Sequence, residues 1–155
     1  MNGENTVIQY RLIALLLSFL VIANGCGYFM AGTWENDPKN WGRAFESRKP
    51  PDMIVLHSKY WRSPHWSYEF EYYFAIAPNA RLKEQLFTEN KLKQITGDKS
   101  KEIAKEKILY NVPAWFASGD LTAYDVWVFA EEPDRNFIVL INKESGTLYL
   151  SDHQL

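Results

Sequence analysis

The side chains that could support nucleophilic or metal chemistry are few and scattered. His57 and Ser58 are neighbours, as a base and a nucleophile could be, but on a predicted strand their side chains point to opposite faces. The sequence has no Gly-x-Ser-x-Gly motif to present a reactive serine. A metal site would require His57 and His65 to converge with a carboxylate, yet no His-Glu-x-x-His pattern supports this. We therefore expect neither a catalytic serine nor a metal site.

Glu69 and Glu71 are a candidate pair for acid-base chemistry. They are two positions apart on a predicted strand and therefore share a face. Paired carboxylates hydrolyse glycans in glycosidases, but they also occur on the solvent-exposed face of an ordinary antiparallel strand. We prefer the exposed-face interpretation and expect no enzymatic activity. A small glycan hydrolase that uses Glu69 or Glu71 remains the second alternative to the function given below.

The composition excludes several other classes of protein. The chain has 155 residues, of which 46% are hydrophobic, as is typical of one folded domain. Its formal net charge of -2 provides no basic field for a phosphate backbone, so we expect no nucleic-acid partner. The single cysteine excludes an internal disulfide and a cysteine-rich zinc site.

That cysteine, Cys26, follows a segment that is typical of secreted proteins. Residues 12–22 form an apolar run after Arg11, and its length suits the hydrophobic region of a signal peptide. Ala23-Asn24-Gly25-Cys26 then resembles the lipobox of bacterial lipoproteins. In that family a diacylglycerol is attached to the cysteine thiol, a signal peptidase cuts just before it, and the new amine is usually acylated. The resemblance implies that Cys26 is the lipid-attachment residue. Apart from this covalent lipid we expect no cofactor.

The resemblance also implies a domain organisation and a location. Residues 1–25 would be the signal peptide, 26–33 a tether, and 34–155 a single globular domain. Because Gly27, rather than Asp, follows the cysteine, the resemblance implies the periplasmic face of the outer membrane of a bacterial cell envelope. One alternative is an uncleaved transmembrane helix within residues 12–33, in the inner membrane. A plain cleaved signal or a buried helix are further alternatives.

The periodicity of the remaining chain predicts an α+β fold. Period-two patterns predict an N-terminal β-hairpin and a C-terminal three-stranded meander, while period-3.6 patterns predict the helices. We expect one antiparallel sheet, covered on one face by one or two helices. The predicted strands are Met53–Trp61, Trp66–Ile76, Tyr124–Glu131, Asn136–Asn142 and Thr147–Ser151. The predicted helices are a short one opened by Asp37 that pairs Trp41 with Phe45, one over Asn79–Ile95 capped by Asn79, and an exposed one over Lys99–Tyr110. For the second of these, a break near Thr88–Asn90 is the alternative to a continuous helix.

Aromatic residues are concentrated around the turn of the predicted hairpin. Tryptophan, tyrosine and arginine dominate the binding energy of protein interfaces, and a hairpin tip is usually exposed. The turn is therefore a candidate partner-binding surface. The alternative is that these aromatics pack against Trp34 and Trp41. The candidate binding residues are Tyr60, Trp61, Arg62, His65 and Trp66.

These expectations favour a binding protein. The segment after the cysteine resembles small lipoproteins of the bacterial envelope, held at the membrane by their lipid. We expect a non-enzymatic periplasmic protein that binds a protein partner, and in the most specific form of this hypothesis it is an immunity or inhibitor protein against an envelope-acting toxin. The alternative is an accessory or assembly lipoprotein of an envelope or secretion complex.

Overall fold

Seven antiparallel strands form one sheet in the part of the chain that folds from Gly32 to Leu155. The structure is a computed structural model that describes residues 31–64, 68–89, 91–108 and 111–155. The strands are β1 (Gly32–Glu35), β2 (Val55–Arg62), β3 (Phe70–Ile76), β4 (Leu92–Ile95), β5 (Tyr124–Phe129), β6 (Ile138–Asn142) and β7 (Leu148–Gln154). The helices are α1 (Asn40–Phe45), α2 (Ala80–Glu84), which continues as a π-helical turn over Gln85–Glu89, and α3 (Asp98–Lys107), and a 3-10 turn covers Leu121–Ala123.

The order of strands across the sheet is β1-β2-β3-β7-β6-β5-β4. The C-terminal strand β7 lies in the middle of the sheet, between β3 and β6, and pairs with β3 along its whole length. Because β7 pairs with both neighbours, the strands on its two sides form one continuous sheet. This is a mainly antiparallel sheet with some helix, as the α+β prediction requires.

Helices cover both faces of the sheet, and not one face as predicted. On the first face, α1 and α2 pack over a core that includes Trp41, Phe74 and Leu82. On the second face, α3 packs over a core that includes Tyr73 and Ala104. We call these the cleft face and the helix face.

The predicted solvent-exposed face of β3 is therefore wrong. Glu71 is only 7% exposed, and Tyr73 and Ala75 on the same face are also buried. The segment before β5 closes over this face and places the Phe116 ring 4.9 Å from that of Tyr73. Alternation of aromatic and polar residues does not distinguish a strand that is buried on one face from one that is buried on both.

Local sequence signals account for α1 and the start of α2. The rings of Trp41 and Phe45 lie 4.2 Å apart, as their i, i+4 spacing predicts. Asp37 accepts a hydrogen bond from the Lys39 amide at 2.8 Å, although the helix itself begins three residues after Asp37. The Asn79 side chain accepts from the Leu82 amide at 2.8 Å and so caps α2 as predicted.

The predicted continuation of that helix to Ile95 is wrong, because Leu92–Ile95 forms β4. This strand pairs with β5, with Leu92 opposite Phe129 and Ile95 opposite Val126. Lys91 has a φ of 49°, in the left-handed region, and so turns the chain between the helical segment and the strand.

The N-terminal predictions fall mostly outside the described residues. Cys26 and the predicted signal peptide are not among them, whereas β1 begins at Gly32, within the segment that we predict as a tether. Of the helices that the structure describes, none combines the length and the apolar character that a membrane span requires.

Candidate functional site

The structure places Tyr60, Trp61 and Arg62 at the end of β2, where the pleat of the strand separates them. Tyr60 is 3% exposed and packs in the core of the cleft face, with its ring 6.0 Å from that of Trp34. This matches the packing alternative for Tyr60. Trp61 points to the helix face and is half-buried. His65 and Trp66 lie outside the described residues.

Arg62 points to the same face as Tyr60 and keeps contact with an aromatic side chain of the turn. Its guanidinium lies 4.4 Å from the ring centre of Tyr68. The Tyr68 side chain is 47% exposed. An arginine stacked on an exposed tyrosine combines two residue types that are enriched at interface hot spots.

An open cleft of about 730 Å³ lies on the cleft face. One side is formed by α1 and the segment after it, and the other by the β5–β6 loop together with α2 and its π-helical turn. Strands β3 and β7 lie between these two sides in the sheet and form the floor. Both Tyr60 and Tyr68 line the cleft, so it is continuous with the hairpin end.

A row of paired residues crosses the sheet below this cleft. Trp34 pairs with Tyr60, Tyr60 with Tyr72, and Tyr72 with Asp152 on successive strands. The last three of these residues line the cleft. The hydroxyls of Tyr60 and Tyr72 form no hydrogen bond with any residue that the structure describes. Burial raises the pKa of both tyrosines, so both hydroxyls stay protonated and can donate.

Asp152 is the buried carboxylate of the cleft, with 5% of the residue exposed. It accepts a hydrogen bond from the His153 amide at 2.9 Å, and its Oδ2 atom lies 3.9 Å from Nη2 of Arg135. Burial raises the pKa of this carboxyl, and the charge of Arg135 opposes that shift.

Arginines are stacked on aromatic rings at three places on this face. Arg43 lies 4.5 Å from the centre of the Trp34 ring, and Arg135 lies 4.8 Å from that of Phe129. With the stack of Arg62 on Tyr68 included, each pair contributes at least one residue to the lining of the cleft. Arg43 is also fixed by Asp37 at 2.9 Å and by the Asn40 side chain at 2.7 Å.

Arg48 also lines the cleft, and it differs from the other arginines. It is exposed, and it forms no ion pair, hydrogen bond or ring contact with any described residue. Its charge is therefore available to a ligand.

A second row of paired residues lies on the helix face. Each of its members is adjacent in sequence to a member of the first row. Thr33 pairs with Trp61, Trp61 with Glu71, and Glu71 with His153. The Glu71 carboxylate accepts a hydrogen bond from the Tyr73 hydroxyl at 2.5 Å. A second cleft, of about 710 Å³, lies on this side and is lined by Trp61 and Glu71 but not by Glu69. The two glutamates are thus not brought together in one cleft.

The remaining candidates for nucleophilic or metal chemistry are kept apart. His57 is exposed and stacks on Trp115 with 5.2 Å between ring centres, whereas Ser58 is buried and accepts a hydrogen bond from Asn40. In the described ranges, no three His, Cys, Asp or Glu side chains are grouped so that they could hold a metal ion.

The sequence alone did not identify Tyr72, Asp152, Arg48 and Arg135 as site residues. Tyr72 lies within the predicted strand Trp66–Ile76, and Asp152 lies just beyond the predicted end of the last strand. No family model matches the chain, and no curated protein or solved structure is significantly similar to it. We therefore infer the function from the geometry of the cleft.

Proposed function

We propose that this chain is a lipid-anchored, non-enzymatic protein of the bacterial cell envelope that binds a protein partner in the open cleft. The observation that supports the proposal is the set of arginine–aromatic pairs, each of which contributes at least one residue to the lining of the cleft. An arginine already stacked on a ring loses little conformational freedom when a partner arrives. Tryptophan, tyrosine and arginine are also the residue types that dominate binding energy at interfaces.

The most specific form of the proposal is an immunity or inhibitor protein against an envelope-acting toxin or enzyme. Such a protein needs a preorganised surface in the compartment where its target acts, and no catalytic group. The lipobox-like segment supports an outer-membrane, periplasmic location. An accessory subunit of an envelope or secretion complex would use the same cleft for a permanent partner, and the identity of the bound protein distinguishes the two roles.

Site-specific photo-cross-linking in intact envelopes tests the binding site. A photoreactive amino acid at Tyr68, on the exposed rim of the cleft, should give one defined cross-linked protein that mass spectrometry identifies. The matched control is the same amino acid at Ile54, which is exposed but does not line the cleft. We expect no such product from Ile54. The same product from both positions, or none from Tyr68, would contradict the proposal.

Replacing Arg62 provides an independent measurement of the same surface. Arg62→Ala should weaken capture of the cross-linked partner by roughly fivefold or more, as expected when a stacked interface arginine is truncated. The thermal unfolding midpoint of the variant must stay close to that of the wild type. Unchanged capture would remove the hairpin end from the binding surface.

The lipid anchor has a separate test. Cys26→Ser should abolish labelling with radioactive palmitate and stop processing of the precursor, because the thiol is the acceptor of the diacylglycerol in the family that the segment resembles. A cysteine-to-serine change alters one atom and leaves the preceding apolar run intact. A wild-type chain that is neither labelled nor processed would favour the transmembrane alternative, and labelling that persists in Cys26→Ser would contradict Cys26 as the acceptor.

A further inference from the structure

We propose that the cleft recognises an acidic segment of the partner, in which an apolar side chain packs on the floor and an adjacent carboxylate pairs with Arg48 and Arg135. This inference rests on the proposed function and names the chemistry of the bound element. The occupant is a stretch of polypeptide, because the proposed partner is a protein and the cleft is open and continuous with the exposed hairpin end.

The floor and the sides of the cleft supply the apolar part of the site. The cleft has a volume of about 730 Å³, within the usual range for ligand pockets of about 300–1,000 Å³. This volume accommodates a large side chain with its neighbours. A buried aromatic or aliphatic anchor is the usual source of affinity at such a position. The apolar lining includes Phe45, Phe70, Leu86, Phe129, Phe137 and Leu150.

The charges of the lining favour an anion. Among the described residues that line the cleft are three arginines and two carboxylates, Glu46 and Asp152. Arg43 is already paired with Asp37, but Arg48 is free and the Arg135 side chain is 52% exposed. Arg48 belongs to the segment after α1, and Arg135 to the β5–β6 loop on the other side. Both guanidinium groups therefore face the same cleft, where an anionic side chain of a partner can pair with them.

The polar groups on the floor fit the same ligand. The unbonded hydroxyls of Tyr60 and Tyr72 can donate hydrogen bonds to a carboxylate or to a backbone carbonyl of the segment. A cationic segment would fit less well. Its only buried counter-ion would be Asp152, which Arg135 already faces at 3.9 Å and whose carboxyl also lies in the field of Lys107.

Peptide probes of defined charge test the proposal directly. The full lipidated chain would be reconstituted in phosphatidylcholine nanodiscs and titrated with fluorescein-labelled, end-blocked peptides that alternate leucine with glutamate, glutamine or lysine. We expect saturable binding of the glutamate peptide, binding at least roughly fivefold weaker for the glutamine peptide, and none for the lysine peptide. Equal binding of all three peptides, or preference for the lysine peptide, would overturn the proposal.

Matched charge variants assign the effect to the cleft. Arg48→Gln combined with Arg135→Gln should weaken binding of the glutamate peptide by roughly tenfold or more. The control, Lys99→Gln with Lys105→Gln, removes the same charge from exposed positions on α3 and should change affinity less than roughly twofold. Asp152→Asn should strengthen binding, because it removes a negative charge from the floor. Equal losses in the two double variants would contradict the site.

Failure of this inference can be distinguished from failure of the proposed function. If the glutamate peptide does not bind but the Tyr68 cross-link persists, the cleft binds a partner of other chemistry and only this inference falls. If the lysine peptide binds and the cross-link persists, the same conclusion holds. If no peptide binds and Tyr68 gives no defined product, both fall.

Discussion

Two neighbouring rows of residues cross β1, β2, β3 and β7, one position apart in sequence and on opposite faces of the sheet. The two rows contain similar side chains, since each has one tryptophan and one carboxylate. They differ in what surrounds the polar groups. The row on the cleft face is Trp34, Tyr60, Tyr72 and Asp152, and the row on the helix face is Thr33, Trp61, Glu71 and His153.

On the helix face, the carboxylate has a partner within the fold. The Tyr73 hydroxyl donates to Glu71, and both residues are buried under the segments that cover this face. On the cleft face, the Tyr72 hydroxyl opens into the cleft without a partner among the described residues. A polar group that is satisfied inside the fold contributes to stability, whereas an unsatisfied one beside open space is available to a ligand. We therefore assign a role in stability to the bond between Tyr73 and Glu71, and a role in binding to the Tyr72 hydroxyl.

Removal of one hydroxyl from each face should have the largest effect and tests this assignment. Tyr73→Phe should lower the free energy of unfolding by about 1–3 kcal/mol, because it takes a donor from the buried Glu71 carboxylate. Tyr72→Phe should change it by less than about 0.5 kcal/mol, since its hydroxyl forms no bond in the fold. Urea unfolding monitored by circular dichroism measures both.

The same pair of variants should behave in the opposite way in binding. Without urea, where both variants are folded, Tyr72→Phe should weaken binding of the glutamate peptide. Tyr73→Phe should leave the affinity for this peptide unchanged. Equal losses of stability in the two variants would mean that the two faces do not differ as described.

Local chemistry allowed parts of this fold to be predicted from the sequence. The cap at Asn79 and the contact of Trp41 with Phe45 depend on residues three or four positions apart, and both are found. The antiparallel, mainly β character follows from period-two patterns. The sequence Leu-Lys-Gln-Ile of β4 is compatible with either period over four residues, and its pairing with β5 decides that it is a strand.

The candidate site could not be predicted, because it depends on pairing between distant strands. Nothing local places Asp152 beside Tyr72, and this contact exists only because β7 inserts next to β3. Sequence patterns also could not show that the segment before β5 would cover the face of β3 that carries Glu71 and Tyr73. The aromatic surface that we predict at the hairpin includes Tyr60. This residue does line the cleft, but it is buried in the core.

We expect a smaller effect on the free energy of unfolding from the protonation of His153, a member of the helix-face row. Burial lowers the pKa of this histidine, and its Nδ1 atom is buried without a hydrogen-bond partner in the described part of the chain. Below pH 6.5 the unfolded chain takes up a proton that the folded chain does not bind, so the wild type should lose stability as the pH falls. His153→Gln should lack this loss. Urea unfolding at pH 7.5 and at pH 5.5 measures the difference, and identical pH dependence in both proteins would contradict it.

Asp152, the adjacent residue, should make stability depend on pH in the opposite direction. This is the smallest effect that we expect. Its carboxyl pKa is raised, so above the folded-state pKa the protein bears the cost of a desolvated charge, which Arg135 only partly offsets. As the pH falls toward 3.8, the folded state takes up the proton first and the cost disappears. Asp152→Asn should therefore be more stable than the wild type at pH 7, and the gain should vanish near pH 4. A loss of stability at pH 7 would show that the carboxylate supports the fold, and the cleft-face row would then share the role of the helix-face row.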